Sequence, residues 1–540
     1  MSTSNVRGLG QMLVGNVLAT AAARYPEREA IHCSGTGRRL SFRLINERTN
    51  RLAHALTGLG LRKGEVVGFM CSNRAEAVEI YFALAKTGLV GLPVNYRLAP
   101  REVVTLLEAV RARTLIGEAR FAETLRWVRR EVRGIEHFIH IGASAHGIEG
   151  HAGASPEREA PAGYLEYEAL LREMPAHEPE SELCETDPYY FNLTSGTTGV
   201  PKTYLLNHYN SCSVWAATPF GVRSEDVILT VFPVFGRVGF SWVGKAFMCG
   251  ARTVLADFAA GQVLRLIGAE RVSFTMLVPT MAAMLLGAAE LGACDLSSLR
   301  GVAFAGAMLP PRIRDETMAR LCPNLYEGYG LQEVGWLAIS TPAERRRRPD
   351  SVGLPVLFSE VRLIDAAGHR VAAGEIGEII ARAPCATTEY FESPARSAEA
   401  FRDGWFHTGD LGRLDADGYL FICGRVKDMI ISGGQNVHSA EVEAVLLELP
   451  GVVECAVVGL PHAIWGESVA AVVVRDESPA VGLEAVQAFC REHLAGFKVP
   501  RQLIERREPL PRTPTGKVQK FLLIEQYARE ERADTRAQAR

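Results

Sequence analysis

Residues 194–202 have a composition suited to binding a polyphosphate, since they run Thr-Ser-Gly-Thr-Thr-Gly-Val-Pro-Lys. The two glycines let backbone N–H groups approach an anion closely, the four hydroxyl groups add donors, and Lys202 adds a positive charge. The preceding residues 189–193 are apolar and aromatic, which predicts a buried strand leading into the loop. A flexible linker is the alternative, and the strand and the lysine weaken it.

This loop departs from the P-loop NTPase pattern, because Lys202 follows Pro201 and not a glycine. It resembles the phosphate loop of the adenylate-forming superfamily, which comprises acyl- and aryl-CoA synthetases, luciferases and the adenylation domains of peptide synthetases. The resemblance extends from Val14 to Leu523. It implies an ATP-phosphate site formed by Thr194, Ser195, Gly196, Thr197, Thr198, Gly199 and Lys202.

The composition is that of a globular protein without a strong overall charge. Of the 540 residues, 47% are apolar and 22% charged, and the formal net charge is −3. The length predicts two or more domains, and the charge argues against nucleic acid or an anionic membrane as a partner. Eleven cysteines lie singly, which is typical of a reducing cytosol and argues against a structural metal. Since no apolar run reaches the ~18 residues of a membrane span, we expect a cytoplasmic protein.

The order of predicted elements indicates an α/β protein, because strands alternate with helices from residue 41 to residue 304. We expect a large N-terminal domain at 1–424, with two α/β subdomains and a small β-subdomain, and a small mobile α+β domain at 429–540. Residues 425–428 would join them, and the resemblance places the hinge residue at Lys427. Locally we expect a surface insertion at 143–162, a solvated basic loop at 345–348, and a helix capped by Ser439 that runs to Leu449.

A second motif, residues 329–333, runs Tyr-Gly-Leu-Gln-Glu after a predicted strand at 324–328. It resembles the superfamily's Tyr-Gly-x-Thr-Glu motif. The resemblance implies that Tyr329 and Gly330 belong to the adenine site and that Glu333 helps to hold Mg²⁺, a hard cation with oxygen ligands. Gln332 replaces the usual Thr, and its amide can still donate to a phosphate oxygen. The backbone at Ala305, Gly306 and Ala307 would approach the adenine from its other side.

A third match, residues 401–410, ends in Asp410, and Gly-Arg-Val-Lys-Asp follows at 424–428. The resemblance implies that Asp410 anchors the ribose, since one carboxylate can accept hydrogen bonds from both vicinal hydroxyls. It also implies that Arg425 supplies a cation near the ribose and the α-phosphate. Asp410 as an ordinary turn residue is the alternative.

Residues 510–517, Leu-Pro-Arg-Thr-Pro-Thr-Gly-Lys, resemble a mobile loop that brings a lysine to the active site in relatives. In the first half-reaction a carboxylate attacks the α-phosphorus of ATP. An ammonium between the two anions would stabilise the transition state. The resemblance therefore implies that Lys517 is catalytic, with Lys202 and Glu333-bound Mg²⁺ serving the pyrophosphate leaving group.

Residues 429–438 resemble the glycine loop of aryl-CoA ligases, which lines the pantetheine tunnel after the C-terminal domain rotates. Gly433 and Gly434 match that loop, and the absence of side chains suits a narrow passage. A flat ring and cations would suit the CoA nucleotide. The residues at the corresponding positions are Trp465, Phe497, Lys498 and Arg501. The alternative places Trp465 in the core and the two cations on the solvated surface.

The clearest departure from the superfamily lies at 232–239, Phe-Pro-Val-Phe-Gly-Arg-Val-Gly. Relatives usually carry an aromatic residue followed by His beside the acyl pocket, whereas this chain has Phe235 followed by Gly236. We expect Phe235, Gly236, Arg237 and Ala305 to line the acid pocket. Arg237 either contacts a polar or anionic part of the acid, or points to solvent or pairs with an acidic residue.

Together these motifs predict an AMP-forming acid–CoA ligase whose substrates are a small carboxylic acid, ATP and coenzyme A. The mostly apolar pocket admits aryl, alicyclic or medium-chain acids. Two alternatives remain: a stand-alone adenylation enzyme that loads a carrier protein, and a nucleotide-binding homologue with impaired catalysis. The sequence indicates no oligomeric state, and a homodimer stays open.

Overall fold

The computed structural model describes residues 11–142, 161–194, 202–433, 435–462, 464–475, 482–512 and 518–538. Several predicted features lie outside these ranges, namely nearly all of the insertion at 143–162, Ser195, Gly196, Thr197, Thr198, Gly199, Gly434 and Lys517.

The helices and strands of the described residues are numbered in chain order. The α-helices are α1 Val14–Arg24, α2 Phe42–Gly58, α3 Ala75–Thr87, α4 Pro100–Ala109, α5 Ala122–Glu131, α6 Tyr167–Arg172, α7 His208–Ala216, α8 Arg237–Cys249, α9 Ala260–Ala269, α10 Pro279–Leu286, α11 Pro311–Arg320, α12 Pro342–Arg347, α13 Pro394–Ala400, α14 Ser439–Leu446, α15 Leu483–His493 and α16 Lys520–Gln538. The strands are β1 Glu29–Cys33, β2 Arg38–Ser41, β3 Val66–Met70, β4 Val90–Pro93, β5 Thr114–Glu118, β6 His137–Ile141, β7 Leu165–Glu166, β8 Pro188–Thr194, β9 Lys202–Asn207, β10 Val227–Thr230, β11 Arg252–Leu255, β12 Phe274–Leu277, β13 Gly301–Phe304, β14 Leu325–Leu331, β15 Gly335–Ser340, β16 Leu354–Pro355, β17 Glu360–Ile364, β18 Ile376–Arg382, β19 Phe401–Arg402, β20 Trp405–Leu414, β21 Leu420–Arg425, β22 Met429–Ser432, β23 Gln435–His438, β24 Val452–His462, β25 Gly466–Arg475 and β26 Gln502–Arg506.

Two large sheets form the N-terminal part of the molecule. The first has seven strands in the order β7-β6-β5-β3-β4-β8-β9 and is parallel except for the last pair, β8 and β9. The second has nine strands in the order β16-β15-β14-β13-β12-β10-β11-β1-β2, with antiparallel strands only at its two edges. Helix α3 is buried along its whole length, in a core that also takes side chains from α1, α2 and α8. Its three charged residues, Glu76, Glu79 and Lys86, are buried as well and form salt bridges with Arg74, Arg48 and Glu178.

Two smaller sheets complete the fold. One joins β17, β18, β20 and β19, with β21 paired to β20, and the other joins β23, β22, β25 and β24, with β26 paired to β25. The chain changes from one to the other between Arg425 and Met429, inside the segment predicted to be a hinge. The predicted α/β class, with a small β-subdomain and a final α+β unit, is confirmed. None of the described helices combines the length and apolarity needed to cross a bilayer.

The prediction of a solvated basic loop at 345–348 is wrong. Residues through Arg347 belong to α12, and the buried Arg345 forms a salt bridge with Glu327. The helix begins with Pro342 and is capped by Glu344, whose carboxylate accepts from the Thr341 backbone N–H at 2.7 Å. The Thr-Pro-Ala-Glu sequence is typical of a helix start. The prediction was based on the four consecutive arginines instead and therefore missed the helix.

The expected cap at Ser439 is also wrong. Helix α14 begins at Ser439 itself and ends at Leu446, short of Leu449. The Ser439 hydroxyl accepts a hydrogen bond from Nζ of Lys520 at 2.7 Å and so ties α14 to the last helix. A tertiary partner distant in sequence thus takes the hydroxyl that local pattern assigned to a cap.

Candidate active site

Tyr329, Asp410 and Arg425 form a hydrogen-bonded group, which we term the ribose cluster. Asp410 is buried in β20, opposite Arg425 across the ladder with β21. The Tyr329 hydroxyl donates to Oδ2 of Asp410 at 2.8 Å, and Nε of Arg425 lies 3.0 Å from Oδ1. Burial and the Asp410 carboxylate raise the pKa of Tyr329, so this hydroxyl stays protonated as a donor. The carboxylate keeps lone pairs for further donors such as vicinal hydroxyls.

The backbone that carries Asp410 is held on both sides. Gly409 has φ +68°, in the left-handed region that strains other residue types. Its N–H donates to Oε1 of Glu378 at 3.2 Å, and the Asp410 N–H donates to the Thr408 hydroxyl at 3.0 Å. Glu378 also lies 3.2 Å from Nδ1 of His407. These contacts explain why a glycine precedes the aspartate and fix the direction of its carboxylate.

Glu333, Tyr390 and Lys202 form a second group, which we term the phosphate cluster. Glu333 follows β14, and Lys202 begins β9, where it lies opposite Thr194 of β8. The Tyr390 hydroxyl donates to Oε1 of Glu333 at 2.8 Å, and Nζ of Lys202 is 4.7 Å from the centre of the Tyr390 ring. Burial and the Glu333 carboxylate raise the pKa of Tyr390, which keeps its hydroxyl protonated.

Glu333 fits the role of a magnesium ligand. Among the described residues no group of three or more His, Cys, Asp or Glu side chains could hold a metal without substrate. Mg²⁺ is commonly bound by one or two carboxylates together with substrate phosphates, and a single buried glutamate meets that requirement. Its Oε1 accepts from Tyr390, and no described residue donates to Oε2.

The predicted adenine turn follows β13 at the same end of the sheet as Tyr329. Strands β13 and β14 are parallel neighbours with Phe304 opposite Glu327. Ala305 is buried, whereas Gly306 and Ala307 are exposed. Ligands of open α/β sheets bind at the carboxyl ends of the strands, where this turn lies. Tyr329 and Gly330 were expected after the strand but lie within β14, because the antiparallel strand β15 extends the ladder to Leu331.

Arg237 at the predicted acid pocket is neither solvated nor paired with a carboxylate among the described residues. It begins α8, is 4% exposed, and donates from Nη1 to the Gln332 carbonyl and from Nη2 to the Cys385 carbonyl at 2.5 Å. The solvent or ion-pair interpretation is therefore wrong. The guanidinium holds the turn between β14 and β15, so contact with the acid stays a prediction.

The other pocket residues leave open space. A Cβ atom at Gly236 would meet only the Pro233 carbonyl oxygen, at an ordinary 3.5 Å, so packing does not require glycine there. Phe235 is half-buried, and its ring packs edge-on against Tyr96 at 5.0 Å. A small side chain could therefore replace Gly236 without a clash, next to the aromatic rings of Phe235 and Tyr96.

The predicted CoA residues fall into two sets. Arg501 stacks on Trp465 at 4.3 Å and donates to the Ser432 hydroxyl at 2.8 Å. Gly433 packs against the same ring, since a Cβ there would lie 2.7 Å from Trp465. Lys498 forms a salt bridge with Glu441 at 2.6 Å, next to the half-buried Phe497.

Trp465 is 41% exposed, so its placement in the core is wrong. Lys427, the predicted hinge residue, is exposed on the turn Val426–Asp428.

Sequence reasoning missed three polar residues of the site: Tyr390, Tyr204 and Asn192. Tyr204 donates to the Gln332 carbonyl, and Asn192 donates to the Gln332 side-chain oxygen at 3.4 Å. The latter contact leaves the Gln332 amide nitrogen as a donor. Asn192 and Tyr204 flank the phosphate loop on β8 and β9, which is the signal that could have found them.

Comparison with known proteins gives one family for most of the chain. Residues 18–391 match the family model for the AMP-binding enzyme, and residues 441–517 match that for the AMP-binding enzyme C-terminal domain. A long-chain-fatty-acid–CoA ligase of Mycobacterium tuberculosis is 33% identical over 95% of this chain and 98% of its own. An indoleacetate–CoA ligase of Aromatoleum aromaticum is 34% identical over 92% and 93%.

Among solved structures, an anthranilate CoA ligase in complex with anthranoyl-AMP superposes with a TM-score of 0.87. It is 29% identical and covers 96% of this chain and 98% of its own.

Proposed function

The chain belongs to the AMP-binding enzyme family and is an AMP-forming acid–CoA ligase, and we propose how its residues divide that reaction. The observation that carries the proposal is the ribose cluster, in which a buried aspartate is already oriented by Tyr329 and Arg425. Preorganised polar groups stabilise charge without reorganising at the moment of reaction. Among the described residues this cluster and the phosphate cluster together supply a ribose acceptor, a cation and a metal-ligand carboxylate.

The first half-reaction makes an acyl-adenylate. One oxygen of the substrate carboxylate attacks the α-phosphorus of ATP, and the bond from that phosphorus to the bridging oxygen of pyrophosphate breaks. In this proposal Asp410 would hold the ribose, Lys202 would bind the β- and γ-phosphates, and Lys517 would supply positive charge between the attacking carboxylate and the α-phosphate. Glu333 would hold Mg²⁺, which neutralises charge on the leaving pyrophosphate. No base is required, since the carboxylic acid is ionised at neutral pH.

The second half-reaction transfers the acyl group to sulfur. The thiol of coenzyme A releases its proton to solvent, the sulfur attacks the acyl carbon, and the bond from that carbon to the phosphate oxygen breaks, so that AMP leaves with the bonding electron pair. We assign Gly433 and Gly434 to the pantetheine passage, and Trp465, Phe497, Lys498 and Arg501 to the nucleotide end of coenzyme A. The domain at 429–540 would rotate about Lys427 between the two steps, a movement that commonly limits turnover.

We infer an acid whose only charged group is the reacting carboxylate and whose remainder is apolar, most simply an aryl or alicyclic monocarboxylate. Arg237, the cation predicted at the pocket, is 4% exposed and donates to two main-chain carbonyls, so we expect it to contribute little to binding a second carboxylate. The half-buried Phe235 and Tyr96 provide an aromatic wall. The relatives named above act on a fatty acid, indoleacetate and anthranilate, all of them acids with a large apolar part.

A panel of acids tests this function. The purified chain is supplied with ATP, Mg²⁺ and matched mono- and dicarboxylic acids, and pyrophosphate release is measured with and without coenzyme A. We expect release with aromatic monocarboxylates, and thioester only when coenzyme A is present. Acyl transfer to an acyl-carrier protein but not to coenzyme A would contradict the ligase assignment. A preference for dicarboxylates that Arg237→Met abolishes would contradict the inferred monocarboxylate.

A further inference from the structure

Tyr390 contacts both charged groups of the phosphate cluster but has no part in the motifs described above. Its hydroxyl bonds to the Glu333 carboxylate at 2.8 Å and its ring lies 4.7 Å from the Lys202 ammonium. Tyr390 is 4% exposed and Glu333 8% exposed. Among the described residues no salt bridge joins Lys202 to Glu333, although one tyrosine touches both.

The backbone around Tyr390 is fastened to both sides of the site. The Phe391 N–H donates to the Thr203 carbonyl on β9 at 2.8 Å, next to Lys202. The Thr387 N–H donates to the Glu333 carbonyl at 2.8 Å, and the Thr387 hydroxyl donates to the Leu205 carbonyl at 3.0 Å. Residues 387–391 therefore connect, by hydrogen bonds, the strand that carries Lys202 and the turn that carries Glu333.

The start of the following helix fixes the tyrosine on its other side. The Tyr390 N–H donates to the Ser397 hydroxyl at 2.9 Å, and Ser397 belongs to α13. Phe391 packs edge-on against Phe191 of β8 at 4.9 Å. These contacts hold the backbone on both sides of Tyr390, whose ring contacts Lys202 and whose hydroxyl contacts Glu333.

The chemistry of the pair explains why a tyrosine belongs there. A lysine ammonium and a glutamate carboxylate that meet in a partly buried site attract each other strongly. A direct salt bridge would occupy the cation meant for phosphate and the carboxylate meant for a metal. A phenol can contact both groups without neutralising either charge, because its ring face attracts a cation and its hydroxyl donates to a carboxylate.

We propose that Tyr390 is a positioning residue that keeps Lys202 and Glu333 from pairing with each other, so that both remain available to the phosphates and metal of bound ATP. This inference rests on the proposed function for its biological meaning. Its physical content is narrower: metal and nucleotide affinity depend on Tyr390, and part of that dependence requires Lys202.

Binding of Mn²⁺ with α,β-methylene-ATP, read by electron paramagnetic resonance, tests the inference without turnover. We expect Tyr390→Phe to weaken Mn²⁺ binding about five-fold, the scale of one typical net hydrogen bond, because the Glu333 carboxylate loses its donor. Tyr390→Leu should weaken it about twenty-fold, since it also removes the ring between the charges. In a Lys202→Met background, Tyr390→Leu should cost only about five-fold, because no ammonium remains to occupy Glu333.

Tyr167→Phe is the matched control. The buried Tyr167 also donates to a glutamate, Glu79, at 2.8 Å, but it contacts none of the predicted site residues. Its removal should lower the melting temperature as Tyr390→Phe does and leave Mn²⁺ affinity unchanged. Two results would overturn the inference. One is that Tyr390→Leu binds Mn²⁺ as tightly as the wild type. The other is that Tyr390→Leu lowers Mn²⁺ affinity by the same factor in the wild-type and Lys202→Met backgrounds.

A second measurement does not depend on whether the variants fold. In a crystal of the wild-type chain with Mn²⁺ and the same analogue, Tyr390 Oη should stay within about 3 Å of Glu333. A direct Lys202–Glu333 salt bridge in that crystal would overturn the inference. Failure of the wild-type chain to release pyrophosphate with any acid would instead remove the proposed function and leave the binding comparison intact.

Discussion

The predicted nucleotide residues and the predicted CoA residues differ in what they contact. In the N-terminal part, Tyr329, Asp410 and Arg425 contact one another and form a cluster. In the C-terminal part, Lys498 pairs with Glu441, while Arg501 stacks on Trp465 and bonds to Ser432. The cations on the CoA side are therefore engaged by their own domain.

This difference indicates that the two sites bind their ligands in different ways. The side chains of the ribose cluster are already hydrogen-bonded to one another, so ATP bound there as proposed would order few groups and lose little entropy. On the proposed CoA side, Lys498 would have to exchange the Glu441 carboxylate for a phosphate before it could contribute. We therefore expect ATP binding to depend on single buried residues and CoA binding to depend on weaker, exchangeable pairs.

Removal of Asp410 should have the largest effect on the nucleotide side. Asp410→Ala leaves Arg425 and Tyr329 without their carboxylate, and we expect kcat/KM for ATP to fall by about 10²–10³, as for loss of a preorganised active-site donor or acceptor. The measurement is pyrophosphate release without coenzyme A.

Asp417→Ala serves as its control, because Asp417 is an exposed partner of Arg348 in the turn between β20 and β21. We expect less than about a two-fold change there, as for other surface ion pairs. Similar losses for the two variants would show that the ribose cluster has no special role.

Low pH should lower the folding stability of the large N-terminal part, because His208 is buried in the folded chain. Its ring is fully buried, stacks on Tyr189 of β8, and accepts from the Val14 N–H at 3.3 Å. Burial lowers the pKa of His208 to about 4. Because the unfolded chain has a value near 6.5, it binds more protons between about pH 6.5 and about pH 4, so stability falls as the pH falls through this window.

Denaturant unfolding measures this effect. Between pH 7 and pH 4.5 we expect the free energy of unfolding to drop by roughly 2–3 kcal/mol from this residue. His208→Gln should flatten the pH dependence, whereas the exposed His369→Gln should not. An unchanged slope in His208→Gln would contradict the assignment.

Arg501→Ala should separate the two half-reactions. The variant loses the cation stacked on Trp465, and we expect KM for coenzyme A to rise about ten-fold, the scale of a desolvated cation–π or phosphate contact. Pyrophosphate release without coenzyme A should not change. Arg491→Ala, on the exposed face of α15, is the control. If Arg501→Ala lowered the rates of both half-reactions equally, Arg501 would not be specific to coenzyme A and the distinction between the two sites would be wrong.

Glu441→Gln should have the smallest effect, and that effect should be a decrease in KM for coenzyme A. It releases Lys498 from its partner, so we expect KM for coenzyme A to fall about two-fold, in keeping with the low free energy of a surface salt bridge. Lys498→Ala should remove the effect of Glu441→Gln. A rise in KM for Glu441→Gln would show that the salt bridge positions Lys498 and does not compete for it.

The fold and the members of the ribose cluster could be named from the sequence because the motifs that carry them are continuous. The strand before the phosphate loop and the motifs that end in Asp410 and contain Arg425 are local signals. Tyr390 could not be predicted, because its contacts with Glu333 and Lys202 arise only when distant strands are brought together. Arg237 could be named from the sequence, but its carbonyl partners depend on the turn between β14 and β15.

The two local errors have the same physical origin. Arg345 was placed in solvent because charge runs are commonly solvated, but a buried Glu327 on β14 supplies its counter-charge. Ser439 was predicted to cap the helix because Ser is a common N-cap residue, but its hydroxyl accepts a hydrogen bond from Lys520 of the last helix instead. In each case a partner remote in sequence determines where the side chain lies, although the helix that contains Arg345 has a local capping signal of its own.

The most direct test of the division between the two sites is Lys517→Ala in two separate assays. One assay follows pyrophosphate release from acid and ATP, and the other follows thioester formation from supplied acyl-adenylate and coenzyme A. We expect the first rate to fall by at least about 10²-fold and the second to stay within about two-fold of wild type, because the ammonium is needed only where two anions meet. Equal loss in both assays, or no loss in the first, would contradict the account.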